Sequence, residues 1–408
     1  MKKHSNRARV KTAKTAPAQP AVAPSTKASA TATAKPPRAG ARRKHGTKPP
    51  ASQANIAEAH TIGLDVGDRS SRLCALNAQG QVVEEGSVAT TQPALRARFA
   101  HQPRTRIALE AGTHSAWMKR ELEALGHEVI VANARQLRLI SHSSRKDDRT
   151  DAETLARLAR ADMELLRPIR HRGQQAQEDL TRIRVRAALV DVRTRLVNAA
   201  RGLVKVFGHR LPSCDADQMN PQRLAELPES LRELLRPLLE QVEALTARIQ
   251  ASHQELEQLA RERYPETKLL RQVTGVGPLI ALTYVLTIED PWRFARSRDV
   301  GCYVGLRPRR SQSGESQPQL RITKEGDRYL RAMLVQGAHY ILGWRGPDSD
   351  LRRWGQQLAA RGGKNARKRA VVAVARKLAV LLHKLWTTGE VYEPLRNNRC
   401  GPPAATAA

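Results

Sequence analysis

Four carboxylates in the first half of the chain have the types and spacing of a metal-binding acidic site. Asp65 closes one apolar segment, and Glu110 ends a second one that is followed by small residues. Asp148 and Asp151 are three residues apart at the start of a predicted helix, so their carboxylates share one face. A carboxylate on a buried strand is costly unless a cation compensates it. The four acids therefore predict a site for two Mg²⁺ ions, with Mn²⁺ as the alternative, of the kind that acts on phosphodiesters.

Two further aspartates lie close to this set but fit it less well. Asp68 lies past the end of its strand and is expected to shape the turn. Asp147 points roughly 100° away from Asp148 on a helix. Taken singly, Asp148 or Asp151 would more often be a helix N-cap, so the metal prediction depends on all four acids together.

Segment 305–316 is a loop rich in small hydroxyl residues and arginine, which suits an exposed nucleophile. A serine that attacks phosphorus needs a group that takes its proton and positive charges that hold the phosphate. Four arginines could supply that charge: Arg307, Arg309, Arg310 and Arg321. From the residues alone, however, a loop serine such as Ser313 is structural more often than catalytic.

Two other segments are suited to binding nucleic-acid phosphates. Residues 274–279 have the form of a helix-hairpin-helix turn, in which backbone N–H groups near Gly275 and Gly277 would bind a phosphate. A simple tight turn explains the same glycines equally well. Segment 322–331 leads into an apolar helix and presents three basic side chains on one side: Lys324, Arg328 and Arg331.

The elements that must position the acids follow from the hydrophobic pattern. Short β-type runs separated by turn signals predict five strands: His60–Asp65, Ser71–Leu76, Val82–Val88, Arg106–Glu110 and Glu128–Val131. Helical patterns predict three helices among and after them: Gln92–Ala100, Ser115–Leu125 and Arg149–Arg160. This order predicts an α/β domain in which the first three strands form an antiparallel meander and the next two join in parallel.

The rest of the chain reads as mainly helical. Leu180–Val206 and Leu231–Leu259 have apolar residues at helical spacing and predict a helical hairpin or coiled-coil arm, which could be a spacer, a dimerisation element or an RNA-binding element. A second globular part begins near Leu269, and a basic helical tail is predicted over Asp350–Leu385. The predicted division is a disordered basic tail (1–55), a catalytic α/β domain (56–165), the arm (166–265), a C-terminal domain (266–395) and a disordered end (396–408).

Composition limits the possible partners. With 70 Lys and Arg against 39 Asp and Glu, the 408-residue chain has a formal net charge of +31, which indicates a polyanionic partner. Aromatic residues make up only 3%, so the binding must be largely electrostatic rather than based on stacking. The four scattered cysteines form no pairing or zinc pattern, and no apolar stretch is long and uninterrupted enough to span a bilayer. We therefore expect a soluble intracellular protein.

Together these motifs resemble those of the insertion sequence 110 family of transposases over about residues 60–395. The resemblance rests on five ordered segments: Gly63-Leu64-Asp65-Val66-Gly67, Leu109-Glu110-Ala111-Gly112, the stretch 146–152 with its three aspartates, Val273–Pro278, and Ser313-Gly314 followed by Ile322–Asp327. The C-terminal stretch around Arg361–Lys364 and Lys368–Ala379 is also similar to that of the family.

The resemblance implies an RNase H-like (RuvC-like) N-terminal domain that carries the acids, a helical or coiled-coil middle, and a mainly α C-terminal domain with a helix-hairpin-helix-like turn. It implies that Ser313 is the nucleophile, with Ser311 as an alternative, and that serine and acids form a composite centre to which different subunits can contribute. It also implies DNA as substrate, a structured noncoding guide RNA, a homo-oligomer (dimer or tetramer), and a bacterial cytoplasmic, nucleoid-associated location. Two alternatives are a RuvC-like hydrolytic nuclease acting on branched DNA and an inactive nucleic-acid-binding protein.

Overall fold

The N-terminal part of the chain forms a five-stranded mixed sheet. The computed structural model describes residues 60–133, 148–318 and 320–399. The strands are β1 (Thr61–Asp65), β2 (Ser70–Leu76), β3 (Val82–Ala89), β4 (Arg106–Glu110) and β5 (Glu128–Ala132), in the order β3-β2-β1-β4-β5. β1, β2 and β3 pair antiparallel, whereas β1, β4 and β5 pair in parallel. The predicted meander followed by parallel strands is confirmed.

Helices cover both faces of this sheet, because successive strand residues alternate between the faces. Ile62 and Leu64 pack with Leu109 against helices α1 (Gln92–Phe99) and α2 (Ser115–Ala124) on one face. Helix α3 (Asp148–Ala161) covers the other face, where its alanines and Leu155 pack on Ala108. The central strand is thus buried on both sides.

Two long antiparallel helices follow, α4 (Gln174–Val206) and α5 (Glu229–Arg263). Near the tip, Val197, Ala200 and Val204 of α4 pack on the leucines of α5 and of the connection between the helices. At the base, Asp179 is fully buried and accepts hydrogen bonds from Arg263 (2.9 Å) and Tyr264 (2.8 Å). These contacts fix the two helices side by side.

The C-terminal part is helical and has its own apolar core. Its helices are α6 (Glu266–Leu270), α7 (Pro278–Ile288), α8 (Arg298–Tyr303), α9 (Arg328–Leu342), α10 (Asp350–Ala360) and α11 (Ala366–Thr388). Asp327 caps α9 through the N–H of Leu330 (2.7 Å), and Ser349 caps α10 through the N–H of Arg352 (3.2 Å). Arg184 of α4 pairs with Asp327 and stacks on Tyr329, which joins the arm to this core.

The segment Asp350–Leu385 is helical, as predicted, and consists of two helices, because Gly362 and Gly363 at the break have positive φ values of 74° and 84°, which stop α10. The prediction that it forms a tail is wrong, since Val374, Leu378 and Leu382 of α11 are fully buried in the C-terminal core. Basic side chains occupy only its outer face.

Some predictions fall outside the described residues. These include the basic tail over 1–55, Asp147, the end of the chain from 400 onwards and the side chain of Asp148, for which only the helical backbone is described. None of the described helices is long and apolar enough to cross a membrane.

Candidate functional site

The acids at the ends of β1 and β4 lie on neighbouring strands and on the same face of the sheet. Leu64 is aligned with Leu109 in the parallel pair, so Asp65 and Glu110, one residue later, end the two strands side by side. The apolar neighbours Leu64 and Leu109 point to the α1 and α2 face. Because strand side chains alternate, Asp65 and Glu110 point to the opposite face, which α3 covers.

Gly63 brings α3 very close to β1. A Cβ atom at this position would lie 2.0 Å from the carbonyl oxygen of Ala152 and 2.6 Å from the nitrogen of Ala156. At the other end of α3, Arg160 donates a hydrogen bond to the carbonyl of Ala78, beside the start of β1 (2.9 Å). Helix α3 therefore runs antiparallel to β1, and its first turn, with Asp151, lies at the strand end where Asp65 is found.

Electrostatics support the proximity of these acids. Burial raises the pKa of Glu110, and the negative charge of Asp151 raises it further. Carboxylates in this relation repel each other, and oxygen donors of this kind suit a hard divalent cation. Within residues 60–133, 148–318 and 320–399, no three Asp, Glu, His or Cys side chains are arranged to hold a metal ion. The predicted metal site also includes the carboxylate of Asp148, a side chain that lies outside the described part of the chain.

Asp68, the alternative acid after β1, is separate from this face. Its side chain is 91% exposed and pairs with His114 at 3.1 Å. This position agrees with the role in the turn that the sequence predicts for it.

A half-buried histidine that no sequence motif marks, His171, contacts the loop after Glu110. The Ser115 hydroxyl donates to the carbonyl of Gly112 (2.8 Å) and accepts from the N–H of Gly112 (3.0 Å). The same oxygen lies 2.9 Å from Nε2 of His171, which therefore donates to it. Burial lowers the pKa of His171, as do the positive charges of Lys119, Arg120 and Arg172, so the ring is held neutral. No sequence motif marks His171, because it lies 56 residues beyond its partner.

The serine segment forms an exposed hairpin that projects from the C-terminal core. Its strands are linked by hydrogen bonds from the N–H of Arg309 to the carbonyl of Arg321 (2.9 Å) and from the N–H of Thr323 to the carbonyl of Arg307 (2.9 Å). At the tip, Ser313 and Ser316 exchange two backbone hydrogen bonds across Gly314 and Glu315. Gly314 has a φ of 56°, as the first central residue of a type II′ turn requires. Ser313 is therefore held at the tip, exposed to solvent, as is Ser311.

A basic groove that was not predicted from the sequence lies beside the base of this hairpin. The hairpin base, α10 and α11 enclose a cavity of about 1070 Å³. Its floor includes Leu306, Ile322 and Val372. Among the described residues, no acidic one lines it, but eight basic ones do: Arg321, Lys324, Arg361, Lys364, Lys368, Arg369, Arg376 and Lys377. The available signal was the seven-residue interval between Arg369 and Arg376 within α11, because residues two turns apart lie on one helix face.

In the glycine turn of residues 274–279, one glycine packs against a helix and the other has open space beside it. Gly275 has a φ of 92°, and a Cβ there would lie 3.1 Å from the carbonyl oxygen of Gly337 in α9, so the turn packs tightly on that helix. Gly277 is the N-cap of α7, and a Cβ there would meet no atom within 4 Å. The N-terminus of α7 is thus accessible, as the phosphate prediction requires.

The three basic residues predicted near α9 differ in what their side chains do. Lys324 and Arg328 are exposed. Arg331 instead donates hydrogen bonds to the carbonyls of Val304 (2.9 Å) and Glu325 (2.8 Å). Arg331 therefore holds the hairpin base to α9, and Lys324 and Arg328 are better placed to bind a ligand.

A mixed sheet with carboxylates at adjacent strand ends, joined to a helical domain with a basic groove, is the architecture of a protein that acts on nucleic acid. Comparison with known proteins identifies the family. A family model described as "Transposase", for DEDD transposases of the IS110 type, matches residues 62–208. A second model, "Transposase IS116/IS110/IS902 family", matches residues 267–352.

Relatives match over most of both chains. A "Probable family 20 transposase" of Pseudomonas aeruginosa is 30% identical over 82% of this chain and 98% of its own length. The transposase for insertion sequence element IS1111A of Coxiella burnetii is 28% identical over 83% of this chain and 91% of its own. The transposase for IS1328 of Yersinia enterocolitica is 29% identical over 81% and 98%. The chain belongs to the IS110 family of transposases, enzymes of insertion sequences that act on DNA.

Proposed function

We propose that this transposase cleaves and rejoins DNA strands through a covalent link to Ser313, with Asp65, Glu110, Asp148 and Asp151 holding Mg²⁺ or Mn²⁺. The observation that carries the acidic half is that Asp65 and Glu110 end adjacent strands and face the helix that bears Asp151. The strand order, with three antiparallel strands followed by two parallel ones, supports an RNase H-like domain. Bound cations would screen the acids and polarise the phosphate oxygens.

The proposed role of Ser313 as nucleophile is supported by the exposure and the positive charge of the hairpin. In the proposed step the Ser313 oxygen bonds to phosphorus while the bond from phosphorus to one deoxyribose oxygen breaks. The serine proton passes to a base, and the departing deoxyribose oxygen takes up a proton to become a hydroxyl. Because one phosphate ester replaces another, attack by a different DNA hydroxyl releases Ser313 and rejoins a strand without an external energy source. Arg307, Arg309 and Arg310 would stabilise the added charge on the phosphate.

The basic groove would hold the DNA backbone next to this hairpin. In the part of the chain that the structure describes, eight cationic residues and no acid line it, and Lys324 belongs both to the groove and to the base of the hairpin. The groove's charge is suited to phosphates rather than to base edges, so it supplies affinity without sequence information. In this proposal a structured noncoding RNA supplies the sequence information by pairing with the DNA.

A trapping experiment tests the serine. The purified protein is mixed with labelled DNA of the element's ends, the reaction is stopped in denaturant, and adducts are separated by gel electrophoresis. Wild-type protein and Ser311→Ala should form a protein–DNA adduct, whereas Ser313→Ala should form none and still bind DNA. An adduct with Ser313→Ala contradicts its role, and cleavage without any adduct favours a hydrolytic nuclease.

A second experiment tests the acids and whether the centre is composite. Asp65→Ala and Ser313→Ala should each abolish excision from a plasmid. If the two halves come from different copies, mixing the two inactive proteins should restore part of the activity. DNA binding without excision by the wild-type protein, even with Mg²⁺ and RNA transcribed from the flanking DNA, would favour an inactive binding protein. Excision that is insensitive to removal of that RNA would refute RNA guidance.

A further inference from the structure

The basic groove beside the serine hairpin has an apolar floor as well as a charged rim. The floor includes side chains from three elements: Leu320 and Ile322 of the hairpin base, Trp354 and Leu358 of α10, and Ala373 and Val380 of α11. Leu320 is 37% exposed, and the other five are half-buried. A concave apolar surface with charged groups around it is typical of a site that binds a ligand with an apolar part.

Rim and floor are interleaved along one face of α11. The residues of this helix that line the groove include Arg369, Ala373, Arg376 and Val380, at intervals of four, three and four. This spacing puts basic and apolar side chains on the same face over about 16 Å of helix. A ligand that fills the groove must therefore carry negative charge and apolar surface close together.

The contact between Lys377 and Trp354 repeats this combination on the side towards α10. The ammonium nitrogen of Lys377 lies 4.1 Å from the centre of the Trp354 ring, and both residues line the groove. A cation held against an aromatic face presents charge and apolar surface at one point.

A DNA duplex does not offer what this groove requires. Its bases are stacked between two backbones, so it presents phosphates to the rim but no apolar surface to the floor. An unpaired strand presents both, because each nucleotide joins a phosphate to a base with two flat faces. The cavity of about 1070 Å³ is as large as sites that enclose a small organic molecule, so it has room for an unstacked base.

The groove is close enough to the serine for one strand to reach both. The N–H of Arg309 donates to the carbonyl of Arg321 across the hairpin (2.9 Å), and Arg321 lines the groove. Ser313 comes four residues after Arg309, so no more than about 14 Å of chain separates them. A strand with a phosphate at Ser313 can therefore continue along the hairpin into the groove. This last step rests on the proposed role of Ser313, whereas the composition of the groove does not.

We infer that the basic groove binds an unpaired nucleotide of the strand held at the serine hairpin, with the phosphates on the rim and the base on the apolar floor. Apolar side chains contact the faces of a base and do not read its edges, so the site accepts any base. A base held in this way keeps the two DNA strands apart beside Ser313.

The test compares two labelled single strands of about twelve nucleotides, a length within the range of single-strand sites. One is oligothymidine, and the other is the same sugar–phosphate strand without bases. The full-length wild-type protein should bind the thymidine strand at least about 10-fold more tightly, equivalent to roughly 1.4 kcal/mol. A duplex of the same length reports binding of the backbone alone.

Ala373→Phe fills the floor and leaves every charge of the rim in place. It should remove most of the preference for bases by weakening the thymidine strand, whereas the affinities for the abasic strand and the duplex, and their salt dependence, should stay unchanged. Ala332→Phe is the matched control, because Ala332 is an exposed alanine of α9 that does not line the groove. Circular dichroism checks that each variant folds.

Leu320→Ser is a second variant for the case that Ala373→Phe does not fold. It removes apolar surface from the floor at an exposed position, and it should weaken the thymidine strand more than the abasic strand. Its matched control is Val391→Ser, at an exposed apolar residue (76%) outside the groove.

Equal affinity of the wild-type protein for the two strands would overturn the inference. An unchanged preference in folded Ala373→Phe would also overturn it and would point to an acidic polypeptide as the occupant of the groove. Equal weakening of thymidine strand, abasic strand and duplex would mean that the groove follows the backbone only, which refutes the base site and leaves the proposed binding of the DNA backbone intact.

The same titrations with oligouridine identify the source of the nucleotide. The strand, DNA or RNA, that Ala373→Phe weakens more is the one that the groove takes, and weakening of neither refutes the inference. No strand is cut in these experiments, so none of the results depends on whether Ser313 is the nucleophile.

Discussion

The contact at Gly63 gives a sharp prediction about how the acidic site is positioned. Gly63→Ala adds one methyl group, which would lie 2.0 Å from the carbonyl oxygen of Ala152, where ordinary contact begins near 3.4 Å. The two nearest atoms, the carbonyl oxygen of Ala152 and the nitrogen of Ala156, belong to the backbone, so no flexible side chain can move aside. Helix α3 must therefore retreat by about 1.4 Å to restore ordinary contact. This helix carries Asp148 and Asp151, whereas Asp65 stays on the strand.

The expected effects follow from this displacement. Overpacking of this kind costs about 1–3 kcal/mol of folding free energy, and a misplacement of about 1 Å in a catalytic arrangement can lower the rate about 100-fold. Plasmid excision measures the rate, and urea unfolding measures the stability. Gly86→Ala is the matched control in the same sheet, because a Cβ there would meet only a leucine carbon, at 3.9 Å.

The two measurements separate the possible outcomes. We expect the excision rate of Gly63→Ala to fall much further than its loss of stability explains. Both the excision rate and the stability of Gly86→Ala should remain close to those of the wild type. A folded Gly63→Ala protein with full excision activity would refute the reasoning that α3 must lie against β1 for the acids to act together. Loss of stability without loss of activity would refute it equally.

Three other predictions concern the groove, the histidines His127 and His171, and the base of the arm. Lys364→Glu with Lys368→Glu should weaken DNA binding for all sequences alike and reduce its salt dependence; an unchanged salt slope in a binding titration would argue against the groove. Burial lowers the pKa of His127 and of His171, so the unfolded state takes up protons first as the pH falls below about 6.5, and stability should drop there; the urea midpoint of His127→Gln should fall less than that of the wild type between pH 7.5 and pH 5.5. Asp179→Ala should lower the free energy of unfolding by roughly 1.5–3 kcal/mol, because it removes the buried carboxylate that accepts hydrogen bonds from Arg263 and Tyr264; an unchanged urea midpoint would contradict this.

The sheet was predictable because its information is local. Each strand is a short apolar run closed by turn residues, and the pairing of β2 with β1 and with β3 follows from loops too short for a crossover. The same pattern predicted that Asp65 and Glu110 would end strands of one sheet. It could not show that α3 would lie directly on Gly63, because a glycine inside a strand is compatible with several kinds of close approach.

The prediction of a basic tail was wrong because it was based on the basic residues of the segment and did not take account of the apolar residues between them. Along α11 the basic residues stand out in the sequence, but the alanines and valines between them, such as Val374, are fully buried. A helix that is basic on one face and apolar on the other belongs to a core, whatever its net charge. The groove was not predicted because its lining residues are far apart in the sequence. Arg321 of the hairpin lies more than forty residues before Lys364 and Lys368, and only the fold brings them together.

The serine hairpin and the acids are positioned by different apolar cores. Leu306 and Ile322, at the base of the hairpin, pack with the C-terminal helices, whereas Leu64 and Leu109, beside the acids, pack in the core of the sheet. A substitution that loosens one core therefore disturbs one half of the proposed centre directly and leaves the local geometry of the other intact. The arm contacts both parts, since its base packs on α7 and Arg184 pairs with Asp327, while Gln177 of α4 accepts a hydrogen bond from Arg120 of α2 (3.0 Å).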